Sequence, residues 1–317
     1  MGNMWLGLLI AGIIIIVCIL VALCLGRLPD AVKFFVVKPK LVEGSYEPLL
    51  MLEEMGRNCL GKIGDKQIEL IFDIDKNLPA KLRGDAERIR QVIMCLLENS
   101  IQFVEKGYVR LLIKVYPVPE NEMIELNISV KDTGKGIDPG KMEKLFSFRI
   151  PHGRSKGDSV SNELFVSQRL IGSMGGRIHV KSEEGRGSEF WFAIQQKIAD
   201  PSPAAYIKKP ENGRVPKVSA KFSNSYREAA LMSLLNMYKV SFIPYDILQD
   251  VGMMADYIFT DHGVYYESEQ EMMELVRRRE NICVLENPLR DHKKLEGVTI
   301  CYRPFFSLNF CRLLSQV

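Results

Sequence analysis

The spacing of apolar residues changes character several times along this chain, and each change marks an expected element. From Met4 to Leu25 no residue is charged, a run long enough to cross a bilayer core of about 30 Å. A secretory signal needs a basic start and a shorter apolar stretch, and the flank Met1-Gly2-Asn3 carries no charge. Arg27, Lys33, Lys38 and Lys40 follow the run, against Asp30 and Glu43. By the positive-inside rule the rest of the chain then faces the cytoplasm. The expectation is a single-pass anchor in the cell membrane over 1–26 and a juxtamembrane segment over 27–43.

Beyond the anchor, Tyr46–Leu60 carries Leu49, Leu50, Leu52 and Met55 toward a core as a helix, and Ile68–Ile74 reads as a strand. Asp85 opens a helix with Ile89, Val92, Ile93, Leu96, Leu97 and Ile101 at helical spacing. Tyr108–Val118 and Ile124–Asp132 read as strands of a hairpin turning at Pro117, Pro119, Glu120 and Asn121. A helix over 162–174 ends at Gly175-Gly176. Strands Arg177–Ser182 and Glu189–Gln195 flank the turn Glu184-Gly185-Arg186-Gly187. The pattern over 44–198 is α+β, a mixed sheet layered with helices on one face. Pro201, Pro203, Pro210 and Pro216 mark 199–217 as a linker. Over 218–317 the helices Tyr226–Tyr238 and Met272–Arg278 alternate with short apolar strands at Tyr257–Thr260, Ile282–Leu285 and Val298–Tyr302. That alternation predicts a small parallel α/β domain.

Composition narrows the chemistry. The 317 residues are 47% hydrophobic and 26% charged, which suits folded domains and not a disordered or disulfide-stapled chain. A net charge of +3 is too even for nucleic-acid binding by bulk electrostatics. The seven cysteines include no CxxC pair, so neither a zinc site nor a disulfide framework is expected.

Four blocks stand in order: Gly84–Phe103 (GDAERIRQVIMCLLENSIQF), Asp132–Ile137 (DTGKGI), Lys144–Phe148 (KLFSF) and Met174–Phe192 (MGGRIHVKSEEGRGSEFWF). Together they resemble the ATP-binding domain of sensor histidine kinases, within the superfamily that includes gyrase, HSP90 and MutL. The resemblance covers roughly 43–198 and implies ATP and Mg²⁺ as cofactors. Asn99, on the polar side of an apolar helix, is positioned to offer an amide oxygen to Mg²⁺, a hard cation that prefers oxygen. Asp132 ends a strand and is placed to accept the adenine amino proton, while Gly134 and Gly136 let backbone approach the nucleotide. Taken alone, Asn99 reads as a solvated helix-face residue and Asp132 as an ordinary strand-ending turn. The four blocks together favour the nucleotide pocket.

The departures from the family carry equal weight. Cys95 stands one helical turn before Asn99, where a second asparagine is usual. Ser159-Val160-Ser161-Asn162-Glu163-Leu164 aligns with the second glycine box and holds no glycine. Phosphates bind where bare backbone N–H groups and the helix dipole meet them, so side chains there, Glu163 above all, predict weakened ATP binding. Arg154 and Lys156 either compensate in part or form a solvated loop. Residues 27–43 extend at most about 26 Å even if wholly helical. They cannot hold the family's two-helix hairpin with its acceptor histidine. No catalytic residue is therefore identified, and His152, His179, His262 and His292 read as structural or surface groups.

Asp256-Tyr257-Ile258-Phe259-Thr260-Asp261 resembles the phosphoacceptor strand of response-regulator receiver domains, with Asp261 at the acceptor position. Val298–Phe305 (VTICYRPF) resembles that family's last strand, with Arg303 in place of lysine. The paired acids that hold Mg²⁺ are missing from Val218–Asn224 (VSAKFSN), and Glu286-Asn287 replaces the usual Ser or Thr. A receiver-like fold without its chemistry is expected. The whole order resembles a hybrid sensor kinase, and two readings stay open. One is a kinase of a two-component phosphorelay that binds Mg-ATP and phosphorylates a histidine on another chain. The other is a membrane-tethered pseudokinase scaffold binding other two-component signalling proteins; neither involves nucleic acid. A truncated or remodelled gene fragment is a third.

Overall fold

A computed structural model of the chain describes residues 16–17, 40–119, 122–147, 156–208, 214, 216–247, 254–277, 281–286, 295, 297–304 and 307–315, with the side chains of 156–161 and 308 left aside. Of the expected anchor, only Ile16 and Val17 fall among them, both helical and exposed. Among the described residues no helix is long and apolar enough to cross a membrane. Arg154, His152 and His292 also lie outside the described residues.

Residues 42–317 form one compact unit, with an N-terminal and a C-terminal lobe. The N-terminal lobe runs β1 (Gly44–Tyr46), α1 (Pro48–Ile63), β2 (Gln67–Ile74), β3 (Pro79–Gly84), α2 (Ala86–Phe103), β4 (Lys106–Val118), β5 (Met123–Asp132), α3 (Pro139–Met142), α4 (Lys156–Ser173), β6 (His179–Glu183) and β7 (Gly187–Pro203). Its sheet has the order β1-β3-β7-β5-β4-β2, with β6 beside β7. Among the described residues β2 and β4 pair in parallel, and the other pairs of this sheet are antiparallel. The α+β expectation holds for this lobe.

Local chemistry explains the elements. Asp85 caps α2, its side chain accepting from the Arg88 amide at 3.1 Å, which satisfies one of the donors a helix start leaves free. Ile89, Val92, Ile93, Leu96, Leu97 and Ile101 then bury one stripe against the sheet. Strand β2 is less ordinary. Ile68, Leu70, Phe72 and Ile74 face the helix-covered core, yet Glu69 and Asp73 on the opposite face are buried as well. The reason lies in the second lobe.

That lobe contains β8 (Lys217–Lys221), α5 (Ser225–Tyr238), β9 (Ser241–Phe242), β10 (Tyr257–Asp261), α6 (His262–Glu267), α7 (Glu269–Arg277), β11 (Asn281–Glu286), β12 (Thr299–Tyr302) and α8 (Ser307–Leu314). All its strands are parallel, in the order β12-β11-β10-β8-β9. Counted within the lobe this is 2-1-3-4-5, the doubly wound arrangement. Helix α5 packs on the outer face of the N-terminal sheet. Arg227 donates to Glu69 at 2.9 Å, and the Ser233 hydroxyl donates to Asp73 at 3.3 Å. Helices on one face only, the arrangement expected from sequence, is thus corrected: the second lobe supplies cover to the other.

Two boundaries also shift. Strand β7 continues into the expected linker as far as Pro203, pairing Asp200 with Lys81 and Pro203 with Pro79 of β3. An exposed β7 end fits proline and polar residues because β3 pairs with it irregularly there, through two register shifts. Helix α4 already includes Lys156 rather than starting near 162, and no residue between 158 and 162 breaks a helix.

Candidate functional site

Strand β5 delivers Asp132 to the end of the sheet, where α2 brings Asn99 and Ser100 alongside. Asp132 is 5% exposed. Its Oδ1 accepts from the Gly134 amide at 2.8 Å and the Ser188 amide at 3.3 Å, and its Oδ2 from the Ser100 hydroxyl at 3.2 Å. Burial pushes the Asp132 carboxyl above its ordinary value, and the bonds from Gly134, Ser100 and Ser188 offset this only in part. A buried carboxylate held this way is an acceptor set to meet a donor from outside.

The donor's place is a cavity of about 420 Å³, within the size range of small-ligand sites. Asn99, Asp132 and Gly136 line it together with Ile137, Leu145, Leu164 and Phe190, so three of the four expected site residues meet there. Gly134 does not line the cavity; its role is the amide bond to Asp132. Gly136 has φ +69°, and a Cβ on it would fall 2.1 Å from the Glu183 carbonyl oxygen. Only glycine closes the wall there. Lys135, Lys141 and Lys144 stand at the rim, against Asp138 and Glu184, which favours an anionic ligand. Lys135 lies over the Phe103 ring, 4.8 Å from its centre.

Ser100 and Ser188 carry no signal of this role in the sequence. Both sit inside the quoted blocks, but nothing in their spacing shows that a helix and a strand converge on one carboxylate. Asp261, by contrast, does not join this site. It caps α6 in the C-terminal lobe and is 2% exposed.

The α4 side of the cavity offers few free backbone amides. At the glycine-box position, Ser159 to Leu164 lie inside α4. From the fifth helical residue on, amides are bonded within a helix and do not turn to a phosphate. The Asn99 side-chain amide donates to the Cys95 sulfur at 3.5 Å. Burial pushes the Cys95 thiol up to about 11, with Ser167 of α4 hydrogen-bonded to it; it is a neutral packing group. Among the described residues no cluster of three His, Cys, Asp or Glu can hold a metal.

Both carboxylate oxygens of Asp261 are taken up inside the C-terminal lobe. The Asp261 Oδ2 receives the Ser223 amide at 2.8 Å, the Ser223 hydroxyl at 2.7 Å and the Arg227 guanidinium at 2.9 Å, while Oδ1 receives the Val264 amide at 3.1 Å. Burial pushes this carboxyl up, but the Ser223 and Val264 bonds and the Arg227 charge outweigh it and hold Asp261 below its ordinary value.

Residues 84–198 match the family model described as histidine kinase-, DNA gyrase B- and HSP90-like ATPase. With the site's geometry, this makes the N-terminal lobe a histidine-kinase-like ATPase domain of the two-component type. The hybrid signal transduction protein dokA of Dictyostelium discoideum is 34% identical over 177 residues, 52% of this chain and 10% of dokA. The signal transduction histidine-protein kinase BarA of Escherichia coli K12 is 33% identical over 135 residues, 41% of this chain and 14% of BarA. The chain therefore spans a small part of the relatives it matches. The crystal structure of full-length ShkA in complex with AMPPNP is similar over 90% of this chain and 59% of that one, with TM-score 0.64 and 18% identity. That likeness is one of fold, and it extends over both lobes.

Proposed function

We propose that this protein is a membrane-tethered, histidine-kinase-like binder of adenine nucleotides that serves other two-component signalling proteins without transferring phosphate itself. The observation that carries this reading is the contrast within one cavity: Asp132 is buried, triply hydrogen-bonded and open to a ligand, while α4 fills the position of the phosphate loop. The AMPPNP held by ShkA supports a nucleotide at this cavity. Asn99 is the residue that would meet Mg²⁺, and its amide nitrogen is engaged with the Cys95 sulfur rather than with a second oxygen donor. The C-terminal lobe is a receiver-like fold, a reading supported by its 2-1-3-4-5 strand order and by Asp261 at the end of its third strand, and Arg227 occupies its acceptor. The uncharged Met4–Leu25 run supports the anchor, with the basic residues after it on the cytoplasmic side.

Calorimetry on the full chain in detergent tests the reading. AMP and Mg-ATP are expected to bind with similar affinity. Asp132→Asn is expected to weaken both by about tenfold or more, the worth of a hydrogen bond to a charged group. Tight, magnesium-dependent ATP binding with phosphate passed to a histidine partner would instead establish an active kinase acting in trans.

The raised pKa gives a second expectation. An adenine amino group needs Asp132 ionised, so AMP affinity should fall on acidification before an ordinary carboxyl, near about 3.9, would protonate. A titration from neutral to acid pH, repeated on Asp132→Asn, checks this; the variant should lack the step.

A further inference from the structure

The C-terminal lobe touches the N-terminal sheet within one residue of the nucleotide turn. Helix α5 lies across β2 and β4. Arg227 and Arg303 both donate to the Glu69 Oε2, at 2.9 and 3.2 Å. One helix position earlier, the Tyr226 ring meets the Tyr108 ring with centres 5.2 Å apart at 58°, a tilted geometry that aromatic pairs favour. The two tyrosines border a cavity of about 230 Å³ shared by the two lobes.

Tyr108 is more than a surface aromatic. Its backbone amide donates to the Thr133 hydroxyl oxygen at 2.9 Å, and its carbonyl accepts from the Thr133 amide at 3.2 Å. Thr133 stands between Asp132 and Gly134, whose amide holds the Asp132 carboxylate. The two Tyr108 backbone groups thus fix the turn that aims Asp132 into its cavity. The Tyr226 ring in turn limits how far Tyr108 can shift, and Arg227, clamped between Asp261 and Glu69, limits how far α5 can shift.

We infer that the C-terminal lobe is a positioning element of the nucleotide pocket, with Tyr226 bracing Tyr108 and, through it, the Thr133–Gly134 turn beside Asp132. The inference rests on the nucleotide reading for its functional consequence, and on the Tyr108–Thr133 bonds for its mechanics. The hydroxyl of Tyr226 has no part in it; the ring does. Loss of one aromatic pair corresponds to about a two- to tenfold change in an equilibrium constant.

The test uses the full chain with Tyr226→Ala and Tyr226→Phe. It reads the Kd for AMP by calorimetry and the hydrogen exchange of the Thr133 and Gly134 amides. Tyr226→Ala is expected to weaken AMP about two- to tenfold and to speed exchange at those two amides, with the β10 and β11 amides of the other lobe unchanged. Tyr226→Phe should match the wild type on both counts. Wild-type exchange at Thr133 and Gly134 in Tyr226→Ala would overturn the inference, as would acceleration spread evenly through both lobes. If the wild-type chain binds no AMP, the nucleotide reading fails, and the exchange rates still decide the brace.

Discussion

Replacing Arg227 with alanine is expected to destabilise the chain by about 3 kcal/mol, at the lower end of the cost of breaking a buried ion pair. The side chains of Asp261 and Glu69 are 3% and 7% exposed, and Arg227 bonds to both. Its removal leaves Glu69 with Arg303 and Asp261 with the Ser223 and Val264 donors, which is why the loss stays near the lower end. Arg227→Lys should recover little, since a point ammonium cannot fork between two carboxylates. Urea denaturation at neutral pH measures the difference. Its pH dependence follows from the sign of the shift. Asp261 is held below its unfolded value, so its contribution is complete above about 3.9 and is lost as pH falls through the lower folded value. In Arg227→Ala the cation is gone and burial remains, so the native Asp261 protonates earlier. The gap between variant and wild type should therefore narrow below about pH 4. A gap that stayed constant down to acid unfolding would mean that Arg227 acts through packing alone.

Gly187→Ala is expected to cost about 3 kcal/mol or more in stability, the upper end of a single backbone strain, and to abolish AMP binding. Gly187 has φ +111°, and a Cβ there would lie 2.0 Å from the Asp132 carbonyl oxygen and 3.0 Å from the Thr133 Cα. Both atoms are backbone, so the clash is relieved only by moving the residue that receives the ligand. Gly185, two residues earlier, is the control: its φ is +79°, but nothing lies within 4 Å of its Cβ position. Gly185→Ala should therefore cost only about 1 kcal/mol of conformational strain and leave the AMP affinity intact. Thermal denaturation and calorimetry on the pair separate the two effects. Equal affinity in both variants would show that the Asp132 strand end has slack the distances do not suggest.

What could be read in advance was what is local. The cap bond from Arg88 to Asp85, the Gly134 bond to Asp132, the Asn99–Cys95 contact and the apolar stripe of α2 all join residues a few positions apart, and their elements stand within a few residues of the positions expected. Asp132 and Gly136 could be expected at one cavity because a strand end, a turn and glycines follow one another in the chain. Ser100 and Ser188 were not, because they meet Asp132 across 32 and 56 residues. The double role of Arg227 is the least local feature of all. Nothing in SYREAALMS shows that one guanidinium will neutralise an aspartate in its own lobe and a glutamate on the neighbouring sheet, 158 residues away. Likewise, Pro201 and Pro203 read as breakers, and pairing with β3 overrides that local preference.

The extension of β7 to Pro203 sets a practical limit on how this molecule can be cut. The family footprint ends at residue 198, and a fragment stopped there would lose Asp200 and Pro203, the partners of Lys81 and Pro79. It would also turn Glu69 and Asp73 out to water on a face where Ile71 borders the α5 groove. Such a fragment would carry the recognisable sequence blocks but a frayed edge strand and an uncovered apolar patch, a recipe for self-association. The unit to clone therefore takes in the whole of β7 and the C-terminal lobe that covers β2, well beyond residue 198.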